Sequence, residues 1–345
     1  MAAVQKVPLT RRGALIVLAL AIATIVPVRS VRLQADRVSP AKAGHYGDAD
    51  GTPRRHEDTK PSHQPGNDLR AFVPSWRFQT ATAVEARRIV SIIPATTEML
   101  FAMGAGDRLV AVGSYDRYPP DVEKLPRVGA LLDPNVERIL ALKPDLVVLY
   151  GTQTDLRTQL ERAGVPFYPY VHRGLPDVTG TIRSLGARVG VAAQANALAD
   201  RIEQQLARIR ARVARSPKPK TLLVFGREPG TLRGIDASGG VGFLHDMLET
   251  AGGVNVLADV KQQSVMMSSE LVLTRAPEVI VELRYGRGDP VPRDDLKAWD
   301  ALASVPAVKN RNILVLQGEE FVVPGPRVAD ATMKLAAVLH PLAFR

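Results

Sequence analysis

Two glutamates occupy matching places in a pattern that the chain carries twice. Residues 135–150 read NVERILALKPDLVVLY, and residues 268–283 read SSELVLTRAPEVIVEL. Aligned, the two segments pair Glu137 with Glu270, and each runs from a short helical stretch into an apolar strand. The chemistry open to a carboxylate at such a place is ionic. It complements the positive end of a helix, or it pairs with a cation on another molecule.

A residue of N-cap type, Asn135 or Ser268, stands two positions before each glutamate. This spacing predicts that both carboxylates lie in the first turn of a helix. The helix dipole accounts for about 0.3–1 kcal/mol per carboxylate, but it does not account for the duplication. Two outward carboxylates on two similar lobes suit docking onto a two-fold partner with basic pockets, where losing one charge can cost about 2–5 kcal/mol.

A second set of residues follows the predicted strands. In open α/β sheets, ligands bind outside the carboxyl ends of the strands. The candidate ligand-binding residues at these ends are Thr96, Ser114, Tyr115, Tyr150, Gly151, His172, Arg173, Arg227, Arg284, Tyr285 and Phe321.

These candidates offer three kinds of ligand chemistry. The three arginines could hold an anionic hydroxamate or catecholate complex by paired hydrogen bonds. Tyr115, Tyr150 and His172 could each supply an axial ligand to haem iron. Aromatic faces could pack against a flat apolar macrocycle, although the chain has two tryptophans in all, Trp76 and Trp299. The residues alone do not decide among these three kinds of ligand.

No catalytic residue, resident metal or cofactor is predicted. The chain has no cysteine, which excludes disulfides and thiolate metal sites, and its sequence has no GxSxG, P-loop or HExxH motif. The glycine-rich stretch SGGVGFLH at 238–245 carries Gly240 and Gly242 but has His245 where a dinucleotide fingerprint needs its third glycine. The alternative function from another class of protein is that of an α/β enzyme that binds a nucleotide at this loop.

Short apolar runs alternate with helical stretches of about ten residues, which predicts βαβ units and parallel sheets. Such runs include RRIVSIIP (87–94), TLLVFG (221–226) and NILVLQ (312–317). Between the halves, apolar residues recur every three or four positions from Leu198 to Val213. They predict one amphipathic helix of about 20 residues, roughly 30 Å long. The fold class is therefore α/β, with two Rossmann-like lobes of mostly parallel sheet joined by one long rigid helix.

The N-terminal part predicts export. Basic residues precede the uncharged run at 13–28, as in a signal peptide or a short membrane anchor. Residues 34–70 are too polar to bury a core. The predicted segments are a signal peptide or membrane anchor (1–30), a disordered tether (31–86), an N-terminal lobe (87–175), a helical connector (176–219) and a C-terminal lobe (220–345). The formal net charge of +10 is too dilute over 345 residues to indicate nucleic-acid binding.

From about residue 87 onward, the chain resembles the substrate-binding proteins of iron-complex and cobalamin ABC importers. The resemblance is carried by RRIVSIIPATTEMLFAMGAGDRLVAVGSYDRYPPD, GFLHDMLETAGGVNVLAD and VPGPRVADATMKLAAVLHP. It implies the fold of a class III periplasmic binding protein, with a location outside the cytoplasm, in the periplasm or tethered to the inner membrane. It also implies that Glu137 and Glu270 dock onto arginines of a dimeric permease.

The motif SYDRYPP is most similar to the vitamin B12 branch, which implies that Tyr150 packs against a corrin. Where cobalamin binders carry tryptophans ahead of the two glutamates, this chain has Leu131 and Ser264. The resemblance therefore favours cobalamin or another corrinoid and keeps ferric siderophores and haem as alternatives. A scaffold that has lost its ligand is a further possibility.

Overall fold

The computed structural model describes residues 85–286 and 293–345, in which two β-sheets are flanked by helices. The predicted signal peptide or anchor (1–30) and nearly all of the predicted tether (31–86) lie outside these residues. Within them, no helix is both long and apolar enough to cross a membrane. The predicted two-lobe α/β fold with a long helix between the lobes is confirmed, while the exact domain boundaries stay predictions.

The first sheet contains four parallel strands in the order β2-β1-β3-β4. Their bounds are β1 Ile89–Ser91, β2 Leu109–Val112, β3 Leu146–Tyr150 and β4 Phe167–Tyr170. Parallel strands bring their carboxyl ends to the same edge of a sheet. The register of β3 and β4 pairs Tyr150 with Tyr170 at that edge.

The second sheet has the order β10-β9-β5-β6-β8, with β7 paired to β5. Its strands are β5 Lys220–Gly226, β6 Ile235–Ser238, β7 Val254–Asn255, β8 Ser264–Met267, β9 Val279–Arg284 and β10 Ile313–Gln317. Strands β5, β9 and β10 are parallel, whereas β6 pairs antiparallel with both β5 and β8, so this sheet is mixed. Strands β6 and β8 are four residues each and give little periodic signal in the sequence.

Ten α-helices pack on these sheets in the described part of the chain. They are α1 Pro94–Ala102, α2 Val136–Ala141, α3 Thr154–Arg162, α4 Leu175–Arg188, α5 Ala192–Val213, α6 Phe243–Thr250, α7 Ser269–Arg275, α8 Arg293–Leu296, α9 Pro306–Lys309 and α10 Val328–Leu339. Short 3₁₀ turns lie at Gly106–Arg108, Pro120–Lys124, Lys297–Leu302, Glu319–Phe321 and Pro341–Phe344.

The connector consists of two helices. Helix α5 has 22 residues and buries the predicted apolar stripe from Leu198 to Val213. At about 1.5 Å per residue it is about 33 Å long. Helix α4 packs along it, and the two backbones approach closely at Gly186, where a Cβ atom would collide with the Cβ of Ala195.

Buried side chains form two clusters. The larger cluster joins the first sheet, both connector helices and α10, and it reaches the second sheet through Leu223. The smaller cluster contains Leu222 and Val224, on the opposite face of the same strand β5, together with Trp299. Successive side chains of a strand point to opposite faces, so β5 belongs to both clusters. The larger cluster therefore extends across both lobes, and the smaller cluster lies within the second lobe.

Candidate functional site

Four rings form a column where the strand ends of the first lobe meet helix α6 of the second. Tyr150 and Tyr170 lie edge to face with ring centroids 6.0 Å apart. The Tyr170 ring stacks on His172 at 5.5 Å with an interplanar angle of 25°, and His172 meets Phe243 at 5.9 Å. Such arrangements are favourable for aromatic rings. Of the four rings, His172 and Phe243 line a cavity between the lobes, and Tyr150 and Tyr170 are buried next to them.

The imidazole in this column is neutral and unpaired. His172 is 6% exposed, and burial lowers its pKa to about 4 against a weaker opposing effect of Asp177. Its ring nitrogens make no hydrogen bond to any residue that the structure describes. Burial also raises the pKa of the Tyr150 and Tyr170 phenols. At neutral pH, His172 is therefore a better ligand for a metal centre than either phenol.

A cavity of about 60 Å³ adjoins the column. It is lined by His172, Phe225, Val241, Gly242, Phe243, Leu244, Gln263, Ser264, Val322 and Pro324. An open surface cavity of about 430 Å³ shares Val241 and Gly242 with it and is also lined by Arg173, Gly174, Pro176, Asp177, Gly240, His245 and Asp246. Sites for small molecules measure about 300–1,000 Å³. The inner cavity must therefore widen before it holds a macrocycle.

Two of the predicted ligand contacts lie in the interior instead. Thr96 is fully buried, and its hydroxyl donates to the Ile93 carbonyl at 3.1 Å. Helix α1 starts at Pro94, so Thr96 is not its cap. Phe321 is also buried and packs in the larger core cluster. Both are therefore buried in this structure, and their predicted contact with the ligand stays a prediction. A small polar residue or an aromatic residue after a strand can serve packing equally well.

Arg227 and Arg284 are engaged within the chain. The Arg227 guanidinium is buried and donates to Glu282 at 2.6 Å and to Asp295 at 2.9 Å. Arg284 pairs with the same two carboxylates, at 2.6 Å for Asp295. The Trp299 indole donates to Glu282 at 2.6 Å. As a result, Arg227 does not face the cleft, and Arg284 reaches it with its charge already balanced.

The remaining candidates lie at the strand ends, as predicted. Arg173 is exposed and lies 3.3 Å from Asp177. Ser114 is exposed, and Tyr115 and Gly151 are half-buried. Tyr285 is half-buried and donates to Glu319 at 3.2 Å; burial and that carboxylate raise its pKa to about 12. Of the predicted candidates, the structure thus brings Tyr150 and His172 into one group of rings, where Tyr170 lies between them.

Two functional features were absent from the sequence prediction. Tyr170 and Phe243 complete the ring column, and only Tyr170 stood at a predicted strand end. Asp116 is 1% exposed and lies close to Thr97, Gly113 and Arg127, which oppose the effect of burial on its carboxyl group. Burial raises its pKa to about 7. No spacing in the sequence indicates this burial.

The two glutamates lie where the repeat predicts. The Asn135 side chain accepts a hydrogen bond from the Arg138 amide at 2.8 Å, and the Ser268 hydroxyl accepts from Leu271 at 3.2 Å, so both N-caps are confirmed. Glu137 and Glu270 each occupy the second position of their helix and are exposed. Neither forms an ion pair within the part of the chain that the structure describes.

Comparison with known proteins finds similarity over most of the chain. The sequence matches the model of a family described as periplasmic binding protein over residues 89–320. A vitamin B12-binding protein of Yersinia pestis (strain Pestoides F) is 35% identical over 259 residues, which cover 74% of this chain and 87% of that protein.

Solved structures share the fold. The periplasmic vitamin B12-binding protein BtuF of Vibrio cholerae matches with a TM-score of 0.63 at 26% identity, over 76% of this chain and 99% of that chain. The apo form of the periplasmic heme-binding protein RhuT from Roseiflexus sp. RS-1 matches with a TM-score of 0.62 at 26% identity, over 75% and 99%.

Proposed function

This chain is a member of the periplasmic binding protein family, and we propose that it captures a corrinoid, cobalamin or a close relative, outside the cytoplasm and delivers it to an ABC permease. The family resemblance expected from the sequence is thereby confirmed. The choice of ligand rests on the chemistry of the cleft and on the name of the 35% identical relative.

One observation supports the corrinoid over an anionic chelate. Each arginine that the sequence offered to an anion, namely Arg173, Arg227 and Arg284, pairs with a carboxylate of the chain itself. Holding a catecholate or hydroxamate complex at Arg227 or Arg284 would require breaking buried pairs, and removing one partner of a buried pair costs about 3–5 kcal/mol. The exposed pair of Arg173 with Asp177 gives up about 1 kcal/mol or less. A corrin with amide side chains needs aromatic and apolar contact and hydrogen bonds instead.

A second candidate is haem, because of His172. A buried neutral imidazole without a hydrogen-bond partner, beside a cavity, is suited to axial ligation of iron. The nucleotide alternative has less support. Added side chains at Gly239 and Gly240 would collide with the backbone of Gln262 and Ala258, so those glycines serve close packing rather than phosphate binding.

Delivery is proposed to use the two glutamates. Glu137 and Glu270 are exposed and unpaired, and they occupy equivalent positions on the two lobes. Each would enter a basic pocket of one half of a dimeric permease. The segment at 1–30 would export the chain, as a cleaved signal or as an anchor, and residues 31–86 would act as the tether.

Ligand titration tests the choice of ligand. The purified protein is melted with cyanocobalamin, cobinamide, haemin or a ferric trihydroxamate, since a ligand at about 100 times its Kd stabilises the native state by about 2.7 kcal/mol. Stabilisation by corrinoids alone is expected. Stabilisation by haemin, with a Soret band that changes in His172→Ala, would select the second candidate. A response to the trihydroxamate alone would overturn both.

A further inference from the structure

Each lobe exposes one large apolar side chain shortly before its glutamate. Leu132 is 71% exposed and precedes Glu137, and Met266 is 73% exposed and precedes Glu270. In the described part of the chain, two other large apolar side chains are more than half exposed, Leu342 at 75% and Val171 at 59%. Single exposed apolar residues are ordinary. This general rule does not explain why an exposed apolar side chain precedes the glutamate in both lobes.

The backbone holds both side chains outward. Leu131 is buried, and its carbonyl accepts a hydrogen bond from the Gln153 side chain at 3.0 Å, which leaves its neighbour Leu132 facing solvent. Met266 lies in strand β8 beside the buried Met267, so strand alternation places its side chain on the opposite face from Met267, the face that also carries Ser264. Neither is carried on a frayed end, and each presents a fixed apolar surface.

The charges beside these side chains indicate the partner. Glu137 and Glu270 have no ion pair with any described residue, and they sit on equivalent helices of the two lobes. A complementary surface must therefore offer a cation next to an apolar contact, twice. Protein interfaces combine an apolar centre with charged groups that fix the register.

We propose that Leu132 and Met266 are apolar contacts with the two halves of the permease, each seated beside the pocket that takes the neighbouring glutamate. This inference rests on the proposed docking function. Leu273, one turn after Glu270 in helix α7, is partly exposed and extends the contact on the second lobe.

The test compares three variants of the full-length protein, of which two carry two substitutions each and the third carries one. These are Leu132→Ser/Met266→Ser, Glu137→Gln/Glu270→Gln and the control Leu342→Ser, which changes an equally exposed side chain away from both glutamates. Affinity for the cognate permease–ATPase complex in nanodiscs is measured at low and high salt. Affinity for cyanocobalamin and the melting temperature are measured in parallel.

The Leu132→Ser/Met266→Ser protein should bind the permease about a hundredfold more weakly, because burying each of the two side chains is worth about one factor of ten. Its remaining affinity should fall with salt as in the parent, whereas the Glu137→Gln/Glu270→Gln protein should lose that salt dependence. Cyanocobalamin affinity and melting temperature should match those of Leu342→Ser.

Three results would overturn the inference. Unchanged permease affinity in Leu132→Ser/Met266→Ser, with a loss in the glutamate variant, would leave docking intact but remove the apolar contacts. Unchanged affinity in both variants would reject the docking surface itself. A loss of cyanocobalamin affinity in Leu132→Ser/Met266→Ser would assign the two side chains to the ligand.

Discussion

Glu98 and Arg327 form a bidentate ion pair between the two lobes. The Arg327 Nη2 and Nε atoms donate to the Glu98 carboxylate at 2.6 and 2.8 Å. Glu98 lies in helix α1, and Arg327 caps α10. The Tyr118 ring of the first lobe lies 4.1 Å from the guanidinium carbon. This pair fixes the lobes against each other beside the cleft.

Replacing Arg327 by Gln should destabilise the protein by about 3–5 kcal/mol, since it leaves a buried carboxylate without its cation. Urea unfolding of the purified protein measures this. The matched control is Lys334→Gln, which removes an exposed partner of Glu320 and should cost about 1 kcal/mol or less. A loss of stability no larger than that of the control would show that the lobes do not depend on this pair.

Arg227→Met should lower stability while leaving ligand affinity unchanged, because the guanidinium is buried among Glu282 and Asp295. Breaking a buried pair on one side costs about 3–5 kcal/mol. Denaturation and cyanocobalamin titration of the same preparation separate the two effects. Arg173→Met, at an exposed position, serves as the comparison. If the folded Arg227→Met protein failed to bind ligand, Arg227 would be assigned to the ligand-binding site.

Two buried groups should change the stability of the folded protein in opposite directions as the pH falls. His172 has its pKa lowered to about 4, so the unfolded chain binds the extra proton, and stability falls as the pH drops from 6.5 toward 4. Asp116 has its pKa raised to about 7, so the folded chain binds the extra proton, and stability rises as the pH drops from 7 toward 3.8. Each contributes up to about 1.4 kcal/mol per pH unit within its window.

In the native protein the two slopes therefore offset each other between pH 4 and 6.5. His172→Phe keeps a ring in the column and should make the protein gain stability on acidification, relative to the parent. Asp116→Asn should make the protein lose stability more steeply than the parent protein as the pH falls. Chemical denaturation at several pH values gives both slopes. Parallel curves for the parent and both variants would contradict the assigned protonation states.

Two glycines of helix α4 should respond in opposite directions to alanine. At Gly186 a Cβ would collide with Ala195, so Gly186→Ala should cost about 1–3 kcal/mol through overpacking. At Gly180 no atom lies within 4 Å of the added carbon, so Gly180→Ala should gain about 0.5–1 kcal/mol from helix propensity. Thermal melts of the two variants test this. If both variants were more stable than the parent protein, helices α4 and α5 would be able to move apart without loss of stability.

Local patterns predicted the elements more successfully than they predicted the site. The stripe from Leu198 to Val213 and the caps Asn135 and Ser268 follow from spacing alone, because helix periodicity and capping are short-range effects. The ring column depends on the register of β3 against β4 and on the approach of α6. Those are contacts between distant segments.

The arginines show the same limit. A sequence shows that Arg227 and Arg284 follow strands, but it does not show that Glu282 and Asp295 neutralise them. Strand β9 contributes Glu282 from an inward position, and a carboxylate in a strand ordinarily predicts an exposed face. Similarly, Asp116 stands in a polar loop, and its burial becomes visible only when the first lobe is assembled.

The shared core has a consequence for synthesis and folding. Helix α10, residues 328–339, supplies Val328, Leu335 and Ala336 to the cluster that also contains the strands of the first sheet. Folding rates fall as contacts join segments more distant in the chain. The first lobe cannot complete its interior while residues 328–339 are still on the ribosome. The interior of the first lobe is therefore completed late, after the helix near the C-terminal end of the chain has been made.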